Sequence, residues 1–131
     1  MRKAMKKRIL LIILVVFGQI IYGQKTILKP MFKIAGIDSG SVTLTNILAD
    51  DKIQPNNSRL KVISAYIYII STDKYEVINR GDRLNPDVKG ILRRLQKGQS
   101  CKLLISNVKT LKENGDTLKL SNPLKIIVIR E

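Results

Sequence analysis

The stretch Arg59-Leu60-Lys61-Val62-Ile63-Ser64-Ala65-Tyr66-Ile67-Tyr68-Ile69-Ile70 limits the fold more than any other part of this chain. β-Branched and aromatic residues dominate it, and these sit well on a pleated, half-buried surface. From Val62 onward it is apolar at both parities, so it reads as a central strand covered on both faces. Leu124–Ile129 has the same character. Cys101–Leu111 and Thr117–Ile129 read as two further long strands joined at Lys112–Asp116, where Asn114-Gly115 is a hairpin signal. Pro123 cannot donate to a ladder, so the last strand must break or bulge there. Shorter strands are expected at Met31–Ile37, Ser41–Thr45 and Tyr75–Ile78. A turn is expected at Asp38–Gly40, a short helical turn at Asn46–Asp51, and a loop at Gln54–Asn57.

A single helix is marked at both ends. Asn85 suits the N-cap, Pro86 the first helical position, and Asp87 the positive end of the dipole. Val88, Ile91, Leu92 and Leu95 share one face, and Gly98 can adopt the left-handed conformation that stops a helix. The expected helix spans residues 86–97. The expected fold is therefore mainly β (α+β), a small antiparallel sheet domain with this one helix packed on it.

The other constraining feature is at the start. Arg2, Lys3, Lys6, Lys7 and Arg8 precede nine consecutive apolar residues, Ile9–Phe17. A basic region followed by an apolar one is an export signal. The apolar stretch to Tyr22 is interrupted by Gly18 and Gln19 and is shorter than the roughly 20 residues that cross a bilayer. The expectation is a signal peptide over residues 1–23, cut after Gly23, and one β-rich domain over 24–131. The alternative is an uncleaved anchor, with membrane contact only through residues 9–22. The location is then periplasmic or secreted, or anchored in the inner membrane and facing the periplasm. The signal takes five of the 24 Lys and Arg and none of the 10 acids, which leaves 19 against 10 and a mature net charge of +9.

Much chemistry is missing. The 131 residues include no histidine and one cysteine. Ser-His-Asp and Cys-His arrangements, the commonest zinc ligand and any internal disulfide are thereby removed. Cys101 reads as a buried apolar residue. Asp50-Asp51 reads as a solvated turn, because neighbours on an extended chain point to opposite faces. Gly36–Gly40 lacks the Lys-Ser/Thr and the helix of a phosphate loop. No catalytic, cofactor or metal residues are expected, and the chain reads as a non-enzyme.

The basic surplus has two readings. Lys102, Lys109, Lys112, Lys119 and Lys125 alternate with apolar residues and read as solvated strand faces. Arg93, Arg94 and Lys97 gather at the helix end and are the candidate partner-binding residues, attractive to an acidic protein or an anionic surface. Nucleic acid is set aside by export, and Tyr66 and Tyr68 read as core rather than as a base-stacking platform.

Three segments carry a resemblance: Ile91-Leu92-Arg93-Arg94-Leu95-Gln96-Lys97-Gly98-Gln99-Ser100, then Leu104-Ile105-Ser106-Asn107-Val108-Lys109, then Asn114-Gly115-Asp116. With Gly36–Val42 and the apolar Leu60–Ser71, they make Lys29–Arg130 resemble the C-terminal domain of GldM. GldM is the gliding-motility and type IX secretion protein of Bacteroidetes (PorM in secretion-only relatives). Gln99 stands where that family often has an acid. The resemblance implies a periplasmic β-rich domain with one helix that contacts other envelope proteins. In GldM such a domain ends a long dimeric shaft, so a homodimer is a further expectation. Without that shaft, the expected function is a free or singly anchored protein-interaction module of the cell envelope, working through an exposed strand edge or the basic helix end. The alternative is a module binding anionic polysaccharide or lipid.

Overall fold

In the computed structural model, which describes residues 30–131, the central strand is β4, Lys61–Ile70. The expected signal segment and the expected cut after Gly23 lie outside the described residues. Before β4 come β1 (Phe32–Lys33), β2 (Ser41–Thr43), the short helix α1 (Leu44–Ala49) and β3 (Gln54–Pro55). After it come β5 (Lys74–Arg80), helix α2 (Pro86–Arg93), β6 (Ser100–Leu111), β7 (Thr117–Leu120) and β8 (Leu124–Ile129). The main sheet runs β2-β8-β6-β4-β5, and β7 also pairs with β6. β7 and β8 lie end to end along one side of β6, separated by the break at Ser121–Pro123 that Pro123 requires. The mainly β class with a packed helix is thus the observed one.

Two details depart from the expectation. The sheet is mixed, because β2 runs parallel to β8. There is also a second helix. Thr43 Oγ1 accepts from the Asn46 backbone N–H at 3.2 Å, an N-cap that turns the chain into α1 two residues earlier than its alternating pattern suggests. The expected strand over 31–37 is short for a similar local reason. Ala35 (φ 51°) and Gly36 (φ 76°) form a tight turn closed by reciprocal Ile34–Ile37 backbone hydrogen bonds of 3.0 Å each. β1 pairs with β3, so part of the expected 54–57 loop is a strand.

The core lies on one face of the sheet. Val62, Ala65, Ile67 and Ile69 of β4, Leu103, Ile105 and Val108 of β6, and Leu124, Ile126 and Val128 of β8 point into it. Val88 and Leu92 of α2, Ile47 of α1, and Phe32, Ile34 and Ile53 close it from the other side. Each such large side chain contributes roughly 1.5–3 kcal/mol on burial.

Both central strands carry an irregularity where they pair. From Val62 to Ser64 β4 advances two residues while β6 advances one. From Ser64 to Tyr66 β4 again advances two while β6 advances three. The extra residue of β6 coincides with Asn107, which has a φ of 49°. Such paired bulges bend and twist the sheet and reset which side chains face the core.

Helix α2 is held by a polar brace. Asn79 of β5 is fully buried. Its amide donates to the Arg83 carbonyl at 2.8 Å and the Gly81 carbonyl at 3.4 Å, while its Oδ1 accepts from the Asn85 N–H at 2.7 Å. Asn85 in turn caps α2, its Oδ1 accepting from the Val88 N–H at 2.9 Å. The helix starts where expected but stops four residues early. Arg130 Nη1 donates to the carbonyls of Arg93 (2.9 Å) and Leu95, taking up acceptors that helix ends leave unsatisfied. Gly98 has the expected positive φ, but it lies in the turn after the helix, where its N–H donates to the Arg130 carbonyl at 2.8 Å.

Candidate interaction surface

The face of the sheet opposite the core has no element packed on it among the described residues. The long apolar run of β4 is therefore covered on one side and not two. Tyr66 is 40% exposed, and Tyr68 and Ile70 are half-buried, so neither tyrosine belongs to the core. The register sets this face out in rows. One row runs Ile78–Tyr66–Ser106, the next Glu76–Tyr68–Leu104–Lys125, and the third Lys74–Ile70–Lys102–Ile127–Ser41. Ile78, Ile127 and Ile129 are 55%, 42% and 37% exposed. Large apolar side chains left in water across several adjacent strands mark a contact surface more than scattered single ones do.

The face is also basic. Lys74, Arg80, Lys102, Lys109, Lys119 and Lys125 are exposed on it, against the single acid Glu76. Of the lysines expected to be solvated on strand faces, Lys102, Lys109, Lys119 and Lys125 are so, while Lys112 is exposed in the turn that follows β6. A shallow trough of about 650 Å³ crosses β4, β6 and β8, with Ile70, Leu104 and Ile127 in its lining and Lys102 and Lys125 among them. Tyr68, between Leu104 and Glu76, has a phenol pKa raised by desolvation and by the Glu76 charge.

The helix end is arranged differently from the expectation. Arg93 is the last residue of α2, Arg94 its C-cap, and Lys97 lies in the turn that follows. All three are exposed. Only Arg94 lines the small cleft there, together with Tyr75, Ile91 and Gln99. With Arg130 they place positive charge at the negative end of the helix dipole, a stabilising arrangement. Gln99 serves this turn: its Oε1 accepts from the Gln96 N–H at 2.9 Å.

Asp51 corrects the reading of Asp50-Asp51 as a solvated turn. Asp50 is exposed, but Asp51 is 4% exposed and lies between the two helices. Arg83 Nη1 is 3.0 Å from its Oδ1 and Lys89 Nζ is 2.6 Å from its Oδ2. The Lys89 contact is an ion pair and not a well-aligned hydrogen bond. Burial pushes the Asp51 pKa up, yet Lys89 and Arg83 pull it down further, and the carboxyl ends below its ordinary value. The Leu84 N–H donates to the Asp51 carbonyl at 3.1 Å, so the same residue ties the segment after α1 to the loop before α2. This is a structural latch, with both carboxylate oxygens occupied.

Cys101 is buried in β6 opposite Val128, as its apolar reading expects, and burial pushes its thiol up to about 11. No group of three or more Asp, Glu or Cys side chains suited to a metal occurs among the described residues. No helix among them is long and apolar enough to cross a membrane. No family model matches the chain, and no curated protein matches it.

The open face was missed because its signal is weak in sequence. An apolar run bounded by turns looks the same whether one or both faces are covered. The available clue was that Lys102, Lys125 and Lys74 fall at the parity of Tyr66, Tyr68 and Ile70 once strands are paired.

Proposed function

We propose that this domain is a non-enzymatic contact module of the cell envelope that docks an acidic protein partner on the open face of its sheet. One observation carries the reading: half-exposed Ile70, Leu104 and Ile127 lie among Lys74, Lys102 and Lys125 in adjacent rows. Apolar area supplies the affinity, while the surrounding cations select an acidic surface and speed its approach. The sequence resemblance to the GldM C-terminal domain supports an export-side setting and suggests assembly of gliding or secretion machinery. The sheet face replaces the strand edge as our preferred dock. The edge strand β5 presents Lys74, Glu76 and Arg80, and charges of this kind discourage strand addition.

The test begins with cross-linking in cells and identification of the captured envelope protein, followed by binding of the purified pair. Ile127→Glu and Lys125→Glu should each weaken binding at least tenfold, while Arg93→Glu with Arg94→Glu leaves it within twofold. The opposite pattern would move the dock to the helix end. Concentration-dependent dimers that Ile127→Glu abolishes, with no heterologous partner, would make a second copy of this chain the occupant.

A further inference from the structure

The same face carries a second feature, at its other end, that docking on the trough does not use. A hollow of about 480 Å³ opens over the bulge between β4 and β6, lined by Tyr66, Ser64, Arg80, Lys109, Lys119 and Thr117 among others. The register converges three cations on it. Lys109 stands directly opposite Lys119 across β6 and β7, and Ser64 lies between Arg80 and Lys109 across β5, β4 and β6. Like charges directly opposite on neighbouring strands are destabilising. No carboxylate lines the hollow, and none of the three cations is in an ion pair among the described residues. The bulge at Asn107, held at a positive φ, is what brings Lys109 level with Ser64.

We propose that this hollow is a binding subsite for an acidic sugar, the carboxylate of a polyanionic saccharide lying between Arg80, Lys109 and Lys119. The size falls within the range of small-ligand sites, roughly 300–1,000 Å³. The exposed Tyr66 ring offers a flat apolar surface with a polar tip, the combination that suits a ring bearing hydroxyls. Ser64 and Thr117 add neutral hydroxyl partners beside the cations. An extended peptide would seek a sheet edge for its backbone, and this hollow lies on the face. A lipid headgroup would bring acyl chains, for which the hollow offers only Ala65 and Ile78 beside Tyr66 as apolar lining. The site is independent of the protein dock, since none of the trough's cations lines the hollow.

The experiment is calorimetric or NMR titration of the full chain at 50 mM salt. The probes are a uronic-acid polymer, neutral dextran, inorganic phosphate, a single-stranded oligonucleotide, and vesicles containing one-fifth phosphatidylglycerol. The uronate polymer should bind, weaken as salt rises, and lose at least tenfold affinity in Lys109→Glu with Lys119→Glu. Tyr66→Ala should lose at least threefold with no change of charge. Lys102→Glu with Lys125→Glu, which disables the trough, should leave saccharide binding within twofold. No binding to the uronate polymer overturns the proposal. So does stronger binding to phosphate, oligonucleotide or vesicles, or a Tyr66→Ala variant that binds as well as the parent, because charge alone would then explain the attraction. Thermal melts of each variant confirm folding, and Arg80→Gln gives an independent route should a lysine pair variant fail that check.

Discussion

Arg130 Nη1 donates to the carbonyl oxygen of Arg93 at 2.9 Å, so the residue that follows β8 closes the end of a helix 37 residues away in sequence. The same guanidinium reaches Leu95, and the backbone around it exchanges hydrogen bonds with Gly98 and Gln99 at 2.8 and 2.9 Å. Arg130→Ala should cost about 1–2 kcal/mol in chemical denaturation, the scale of hydrogen bonds from a charged donor that is still partly solvated. Arg130→Lys should recover only part of this, since one ammonium cannot reproduce the planar fork. Faster amide exchange at Arg94–Gly98 would localise the effect, and unchanged exchange there would argue against it.

The buried brace predicts a larger loss. Asn79→Ala removes the acceptor of the Asn85 N–H and the donor to two carbonyls in a fully buried position. Unsatisfied buried groups cost about 1–3 kcal/mol each, so a loss of about 3 kcal/mol is expected. Asn79→Asp should restore only the acceptor and remain well below the parent in urea midpoint.

Acid should weaken the latch. The folded-state pKa of Asp51 lies below its ordinary value of 3.8. Its ionised form therefore contributes stability that is complete above the unfolded pKa and is lost as pH falls through 3.8 toward the folded value. The stability gap between parent and Asp51→Asn should be constant from pH 7 to 5 and shrink below pH 4. Lys89→Met should shift the acid transition to higher pH, because the buried carboxylate then keeps only the largely exposed Arg83. A gap that does not vary with pH would contradict the ion-pair account.

Cys101 should be inert while the fold holds. With the thiol pushed from its ordinary 9.0 to about 11, the thiolate fraction at pH 8 falls about a hundredfold, and burial blocks access as well. Modification by a thiol reagent should follow the unfolding rate, and become immediate in denaturant.

The unrelieved Lys109–Lys119 pair makes a stabilising change available. Lys119→Glu converts a like-charge cross-strand pair into an opposite one. It should raise stability by about 0.2–1 kcal/mol, an increment that fades as salt screens the pair. The same change should weaken saccharide binding, so stability and binding move in opposite directions.

Local chemistry by itself determined much of this protein. β-Branched runs specified β4, β6 and β8, Pro123 divided β7 from β8, and Asn85-Pro86-Asp87 set the start of α2, because propensity, capping and missing donors act within a few residues. The buried state of Cys101 followed from its sharing the parity of Leu103 and Ile105 along β6. Only the tertiary structure decided where α2 stops, since its cap comes from Arg130. It also decided that Asp51 is buried, because Arg83 and Lys89 arrive from another segment to neutralise it. Above all it decided that Tyr66, Tyr68 and Ile70 face outward beside lysines from three other strands. An apolar strand has two faces, and whether the second is covered depends on how many layers the rest of the chain can supply. Here the described residues cover one face and leave the other, apolar and basic, open to contact.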